Sequence, residues 1–339
     1  MKNAVTILLA LAVLFSTPLE SLADEIEVNV ENFVRAETDT YMARYVAMGA
    51  FGTFLHAREP VQIEEQTVIR MNRDTLYSIG VFDLTEPVTI VKPSGDGRFQ
   101  SMLAISEDHY VVGVEHDPGS YTFNKENVGT RYLFVIFRTF ANPNDESDIT
   151  KAHQMQDQIS ISQSAVGSFD VPDWDNESLD EVRALLNALS AGVTGDTKGA
   201  FGSRQEVDPI RHLLATGSGW GGNPPYAATY MNGTPSKNDG RIPHALTVND
   251  VPVDGFWSIT VYDRDGFMHK NDMDSYSYNG VTAEKNTDGS ITVHFGGCDD
   301  GRINCIPITH GWNYIVRLYR PRPEILDGRW TFPEATPID

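Results

Sequence analysis

The chain is poor in cysteine, poor in basic residues and nearly devoid of long apolar runs. It holds 2 cysteines among 339 residues, and 26 Lys+Arg stand against 47 Asp+Glu, a formal net charge of −21. A carboxylate excess of that size repels phosphate backbones and anionic lipid, which argues against a nucleic-acid partner. Beyond the N-terminal leader, no segment could supply the roughly 20 apolar residues that span a bilayer. HExxH, Walker A and SxxK motifs are missing, and no internal repeat is evident. Disorder is excluded by what is present: 40% of residues are hydrophobic and 10% aromatic, enough for one large core or two ordinary ones.

Lys2, the apolar run Ile7 to Phe15, Pro18 and the small-residue site Ser21-Leu22-Ala23 read as a signal peptide over residues 1–23. The expectation is an exported, soluble chain in the periplasm or beyond it, without stable membrane insertion after cleavage. An uncleaved anchor is the alternative, and the apolar run is short for one. Cys298 and Cys305 enclose Asp299 to Asn304, and in an oxidising compartment the pair is expected to staple this loop as a disulfide. A metal site would have only two sulfurs. His294 and His310 lie near in sequence but without CxxC or HxxxH spacing. No metal and no cofactor are expected.

Apolar and aromatic positions at three- and four-residue steps predict a helix from Asn32 to Leu55. Short β-rich runs then follow at Thr67–Met71, Leu76–Asp83, Val88–Val91, Phe99–Ile105, Tyr110–Val114 and Tyr132–Phe140, with turn residues between them. Helical signals return with Ser147 opening one segment, Ser178 and Glu181 forming a capping box, and Asp208-Pro209 starting a third helix that stops at Gly217. From Gly217 to Gly240 the chain is rich in Gly, Pro and Asn and reads as an irregular functional loop or linker. Strand patterns resume at Phe256–Tyr262, Ser290–Phe295 and Tyr314–Tyr319. The order predicts an α+β, β-rich chain of two antiparallel sandwich or jelly-roll-like modules linked by helices. The expected boundaries are 24–145 for the first helix and β module, 146–217 for a helical connector, 218–243 for the loop and 244–339 for the second β module.

Val68-Ile-Arg-Met-Asn-Arg-Asp-Thr-Leu-Tyr-Ser78 resembles the signature of the DUF1254 family, with Glu107–Tyr110, Gly129–Tyr132 and Ala141–Asp145 in matching order. Gly255–Asp263, Val316–Pro321 and Leu326–Trp330 resemble the DUF1214 family. The two families usually occur in tandem. The resemblance implies β-sandwich modules joined by helices in exported bacterial proteins. Both families are of unknown function, so it implies no agreed active site.

Asn72-Arg73-Asp74-Thr75-Leu76-Tyr77 is the densest polar cluster in an otherwise apolar region. Arg73 is suited to clamp a carboxylate, Asp74 to act as base or orienter, and Tyr77 to donate to a developing oxyanion. In a strand Arg73 and Tyr77 share one face while Asn72 and Asp74 share the other, so a common pocket needs a bend near Asp74. The alternative is a structural Arg–Asp pair with an Asx turn at a strand corner. His109, between Asp108 and Tyr110, is the best acid–base candidate because imidazole titrates near neutrality.

Gly217–Gly222 formally satisfies GxGxxG, but a helix precedes it and Asn223-Pro224-Pro225 follows, the reverse of a dinucleotide site. Trp220 reads either as an apolar wall over a cleft or as a packing plug. Asp263–Gly266 reads as a hairpin turn, and Arg317 and Arg320 as surface or interdomain charges. Two functions fit: a hydrolase-type enzyme acting on a small organic molecule at the module junction, or a non-catalytic envelope module binding a ligand or glycan. In the first, Arg73, Asp74, Tyr77 and His109 act on substrate while Asn72, Tyr110 and Trp220 hold it. Both need one concave site.

Overall fold

The computed structural model describes residues 25–66, 69–193 and 197–338; the leader expected over residues 1–23 lies outside them. Helix α1 (Phe33–Ala47) is shorter than its periodicity predicts. Gly49 and Gly52 adopt φ of +96° and +64°, left-handed conformations that cannot continue an α-helix. The chain passes into β1 (Leu55–His56). Ile69 and Arg70 form a turn and not the expected strand, and Thr67 and Val68 lie outside the described residues. There follow β2 (Thr75–Asp83), β3 (Val88–Lys92), β4 (Gln100–Ser106), β5 (Val111–Glu115), β6 (Gly119–Phe123), a short α2 (Lys125–Val128) and β7 (Tyr132–Phe140).

Three helices come next, interrupted by one strand: α3 (Glu146–Asp157), β8 (Ser160–Gln163), α4 (Asn176–Ser190) and α5 (Pro209–Gly219). Each is capped by an aspartate. Asp145 accepts from the N–H groups of Ser147 and Asp148, Asp175 from those of Glu177 and Ser178, and Asp208 from those of Ile210 and Arg211. The caps of α3 and α4 thus lie just ahead of the serines that the sequence pattern points to.

The stretch expected to be irregular contains a strand, β9 (Ala228–Gly233). The chain ends with β10 (His244–Val248), β11 (Trp257–Tyr262), β12 (Ser277–Asn279), β13 (Ile291–Phe295), β14 (Cys305–Ile306), β15 (Asn313–Tyr319), α6 (Pro323–Leu326) and β16 (Thr336–Pro337).

The N-terminal β module is an antiparallel sheet of order β1-β2-β7-β4-β5 packed on the smaller sheet β6-β3-β8. Phe82, Met102, Val135 and Phe137 on one face of the large sheet meet Val88 and Ile90 of the small one. The opposite face, with Ile79, Val81, Phe134 and Ile136, packs on Met42 and Tyr45 of α1. Both faces of β2 and β7 are therefore covered, which is why these strands read as nearly unbroken apolar runs.

The C-terminal module pairs the sheet β14-β13-β10-β16 with the sheet β12-β11-β15-β9. Strict alternation along β11 sends Trp257, Ile259 and Val261 into the core between those sheets, with Val293, Phe295, Tyr314 and Val316. Ser258, Thr260 and Tyr262 face the other way, toward the N-terminal module. Cys298 and Cys305 form a disulfide with Cα atoms 5.6 Å apart. Closing so short a loop constrains the unfolded chain by about 2–3 kcal/mol in the chain-entropy model. The molecule is thus β-rich α+β, with antiparallel sandwich modules. Among the described residues no helix is long and apolar enough to cross a membrane.

Candidate functional site

A cleft of about 790 Å³ opens where the two modules face each other. Cross-strand pairing places Asn279, Ser258, Arg317 and Tyr230 side by side across β12, β11, β15 and β9. Residues directly opposite share a face, so this polar row crosses the sheet surface turned toward the N-terminal module. On the facing sheet Tyr77 of β2 pairs with Arg138 of β7. Tyr77, Arg138, Tyr230, Arg317 and Tyr319 all line the cleft, with Met48, Leu55, Ile79 and Ile315 among its apolar walls.

Two buried guanidinium groups dominate its charge. Arg317 is 3% exposed; its Nη1 donates to Thr260 Oγ1 at 2.9 Å, and its Nη2 donates to the Arg70 carbonyl at 2.7 Å and to Tyr262 Oη at 2.6 Å. Arg70 sits in the left-handed region at φ +62°, which aims this carbonyl, and its own guanidinium lies 5.1 Å from the Tyr262 ring centroid. Arg138 is 7% exposed; its Nη2 donates to the Gly221 carbonyl at 3.0 Å, its Nη1 donates to Asn223 Oδ1 at 3.4 Å, and its guanidinium lies 5.6 Å from the Tyr77 ring centroid.

Among the described residues no carboxylate pairs with Arg138 and none lines the cleft. A guanidinium carries five N–H donors, so Arg138 retains donors for a ligand. Asn72 Nδ2 donates to Tyr77 Oη at 3.3 Å and Asn223 Nδ2 donates to Tyr230 Oη at 3.1 Å, leaving both phenol hydrogens available to a guest. Burial pushes the Tyr319 phenol well above its ordinary value, with Tyr230, Tyr77 and Asp74 adding to the rise and Arg317 opposing it.

The single hollow expected for Arg73, Asp74, Tyr77, His109 and Trp220 does not form. Asn72 and Tyr77 line the cleft. Asn72 Oδ1 also accepts from the Asp74 N–H at 3.1 Å, the Asx turn weighed as the structural alternative. Arg73 turns away toward the C-terminal loops, 5.1 Å from the Tyr276 ring centroid and 3.9 Å from Asp274 Oδ1. Asp74 is fully buried beneath the cleft and accepts from Asn279 Nδ2 at 3.2 Å. Burial pushes its carboxyl up, against the opposing pull of Arg317, Ser258, Asn279 and Arg73. The bend that the strand alternation demands is present, but it sends the two charges to different places.

His109 and Trp220 do meet, ring centroids 5.4 Å apart, in a packed interior between α1, α5 and the N-terminal sheet, and the half-buried Tyr110 joins them through His212. His109 is 2% exposed at φ +60°. Its Nε2 accepts from the Gly221 N–H at 2.9 Å, which assigns the proton to Nδ1, 2.8 Å from Thr216 Oγ1. Thr216 donates in turn to the His212 carbonyl. Burial, with His212 alongside, holds this imidazole well below its usual range, so it is a fixed neutral connector. Tyr110 stacks on His212 at 4.9 Å, and Trp220 stacks on Tyr41 at 4.3 Å while its Nε1 donates to Thr38 Oγ1 at 3.0 Å. Trp220 is a plug.

The same region holds a buried carboxyl that sequence reading overlooks. Asp39 of α1 is fully buried; its Oδ2 accepts from Trp174 Nε1 at 3.0 Å and its Oδ1 has no partner. Burial raises it to about 7; Trp174 and Arg35 pull down, and Glu107 and Asp108 push up. A folded value above the unfolded one of about 3.9 means that the native state holds the extra proton between about pH 4 and 7. This contribution to stability is complete below the unfolded value and is lost as pH rises through 7. Asp39→Asn is expected to remove that decline and to be more stable than the parent at pH 8 by roughly 2–4 kcal/mol, read from denaturant midpoints at pH 5 and 8. Equal pH slopes in the two proteins would refute it.

Arg138, Tyr230 and Tyr319 are absent from the sequence-derived candidates. The available signal was a lone arginine inside the apolar strand Tyr132–Phe140 and another inside Asn313–Tyr319, since a charge buried in a strand needs a reason. The one imidazole lining the cleft, His56, bonds through Nδ1 to Ser78 Oγ at 2.8 Å, but Ser78 is fully buried and offers no reachable nucleophile. No three His, Cys, Asp or Glu side chains converge as a metal-ligand set among the described residues.

A crystal structure of a Vibrio parahaemolyticus protein is similar over 91% of this chain and 98% of that one, with a TM-score of 0.70 and 18% sequence identity. An uncharacterized protein from Burkholderia cenocepacia is similar over 91% of this chain and 87% of that one, with a TM-score of 0.53 and 14% identity. At such identities the likeness is one of fold. Comparison with curated proteins finds no match. Two family models match, each described as a protein of unknown function: DUF1254 over residues 51–119, which carry the cleft residues Asn72 and Tyr77, and DUF1214 over residues 225–323, which carry β9 and β15. The chain thus carries a DUF1254 match followed by a DUF1214 match, and residues of both matched regions line the cleft.

Proposed function

We propose that the protein is an exported binding module for a small organic anion with an apolar body, held in the cleft between the β modules. The observation that carries this reading is Arg138, a buried guanidinium with spare donors and no carboxylate partner among the described residues, in a cleft lined by apolar side chains and phenols. A chain of net charge −21 that leaves a buried cation unpaired in a concave site reserves it for an anion from outside. Arg317 adds positive potential, and Tyr77 and Tyr230 offer phenol donors. Export is supported by the leader pattern and agrees with the disulfide. The imidazole among the described residues of the cleft, His56, is bonded to the buried Ser78, so what favours binding here is the cation and the phenols.

The test is thermal stabilisation of the purified chain by benzoate, hexanoate and 4-phenylbutyrate, each beside its amide. A ligand held by the native state raises the melting temperature by mass action. The acids are expected to stabilise and the amides not, with the effect fading below about pH 4–5 as the acids are protonated. Arg138→Met is expected to weaken acid binding by about tenfold to a hundredfold, the worth of a charge-assisted hydrogen bond. If acids and amides act alike, or the variant binds as the parent does, the reading is wrong.

A further inference from the structure

A second cavity of about 720 Å³ adjoins the cleft and shares Tyr230 and Asn232 with it. It touches four consecutive residues of β9, Thr229 to Asn232. Consecutive strand residues point to opposite faces, so a cavity that meets all four lies beside the strand and not over one face. Among the described strands β9 has a single neighbour, β15.

The ladder defines which main-chain groups look outward. The Arg320 N–H donates to the Ala227 carbonyl, which makes those two a hydrogen-bonded pair. Alternation then makes Thr229–Leu318 and Met231–Val316 bonded pairs, and Tyr230–Arg317 and Asn232–Ile315 non-bonded ones. On the other side of β15, the Tyr319 N–H donates to the Phe256 carbonyl, which requires the same phase. The N–H and C=O groups of Tyr230 and Asn232 therefore point away from β15, toward the second cavity. Edge strands are ordinarily blunted by charge, proline or a bulge. Ala228–Gly233 has no charged residue and no proline, and pairs in unbroken register. Across the cavity stand Phe201, Pro224, Tyr226 and Leu326, and Lys198 and Glu206 line it as well.

We infer that the occupant of the cleft is an extended peptide, its C-terminal carboxylate at Arg138 and its main chain added as a strand to the free edge of β9. The inference rests on the anion-binding reading of the cleft and narrows it. Charge complementarity at the carboxylate, two outward donors and two outward acceptors on β9, and an apolar wall for alternate side chains are the elements of recognition by strand addition. A peptide bearing one carboxylate suits this protein better than an acidic one, because the chain as a whole repels additional negative charge.

The test is calorimetric titration of the full chain with acetyl-Val-Thr-Val-Thr-Val as the free acid, as the C-terminal amide, and as the acid N-methylated at alternate residues, beside acetyl-valine. Asn232→Pro removes one outward N–H while sparing the β9–β15 ladder, and Asn232→Ala controls for the lost side chain. The peptide acid is expected to bind at least about tenfold more tightly than acetyl-valine. N-methylation should erase that gain, and Asn232→Pro should lose more of it than Asn232→Ala does, the difference reporting the outward N–H. Amidation should weaken binding by a similar factor.

If the peptide binds no better than acetyl-valine, or keeps its advantage when N-methylated, strand addition is overturned while anion binding stands. If acetyl-valine, benzoate and the peptide all fail to bind, anion binding fails and takes this inference with it. The N-methylated peptide decides the matter even if Asn232→Pro does not fold.

Discussion

Arg317→Met is expected to destabilise the protein by about 3–5 kcal/mol, the usual cost of removing one partner from a buried charge network. Methionine keeps most of the side-chain volume, so the loss comes from polar groups left behind. The Arg70 carbonyl, Thr260 Oγ1 and Tyr262 Oη each lose a donor. Asp74, fully buried, loses the cation that most strongly opposes its desolvation. Arg317→Lys should rescue little, because one ammonium on a flexible stem cannot reproduce a planar fork that meets three acceptors.

Arg70 and Asp74 come from the N-terminal module and Thr260 and Tyr262 from the C-terminal one, so this side chain holds the two together. Guanidinium-chloride unfolding with unchanged slope would show the effect as a lower midpoint. Adding Asp74→Asn to Arg317→Met should recover part of the loss, since the uncompensated carboxylate is then gone. A single-variant loss below about 1 kcal/mol would mean that this network does not lock the modules together.

Trp220→Ala is expected to cost about 3–5 kcal/mol, the range for removing a large aromatic from a packed interior. The indole lies 4.3 Å from Tyr41 and 4.9 Å from Phe134 between ring centroids, and its Nε1–H is held by Thr38. The neighbouring Gly221 has its N–H bonded to His109 and its carbonyl to Arg138, so the segment is pinned from both sides and cannot collapse into the gap. Acid binding by the folded fraction should stay within about twofold of the parent. A selective loss of binding with normal stability would restore Trp220 as a wall of the ligand site, the reading that the sequence left open beside the plug.

Much of the fold was legible in local pattern. The alternation in Trp257–Tyr262 reports a strand with one apolar and one polar face, and Asp208-Pro209 reports a helix start, because both effects act within a few residues. The overrun of α1 shows the limit of periodicity: Tyr45 and Met48 continue the spacing, but the positive φ values of Gly49 and Gly52 end the helix. Strand β9 was missed because an edge strand has one neighbour and half-solvated positions, so Ala-Thr-Tyr-Met-Asn-Gly carries little apolar alternation among the surrounding Gly, Pro and Asn. That omission concealed Tyr230 and the free edge.

The candidate site was legible only in part, for a physical reason. Asn72 and Tyr77 were chosen for polar density in an apolar region, and the cleft does use them. Arg73 and Asp74 were chosen on the same ground and diverge, since the bend ahead of β2 turns one toward the C-terminal loops and buries the other. His109 was chosen for imidazole chemistry, but Gly221, Thr216 and the surrounding aromatics bury it as a neutral hydrogen-bonding group.

Local order alone determined the β-rich two-module architecture, the pairing-ready cysteines and the family resemblance, because each is written in neighbouring residues. Only the tertiary structure decided that Arg138 and Tyr77 would confront Arg317, Tyr230 and Tyr319. Periodicity reports which face of a strand a side chain takes; which other face it meets is settled by how two sheets far apart in sequence pack together.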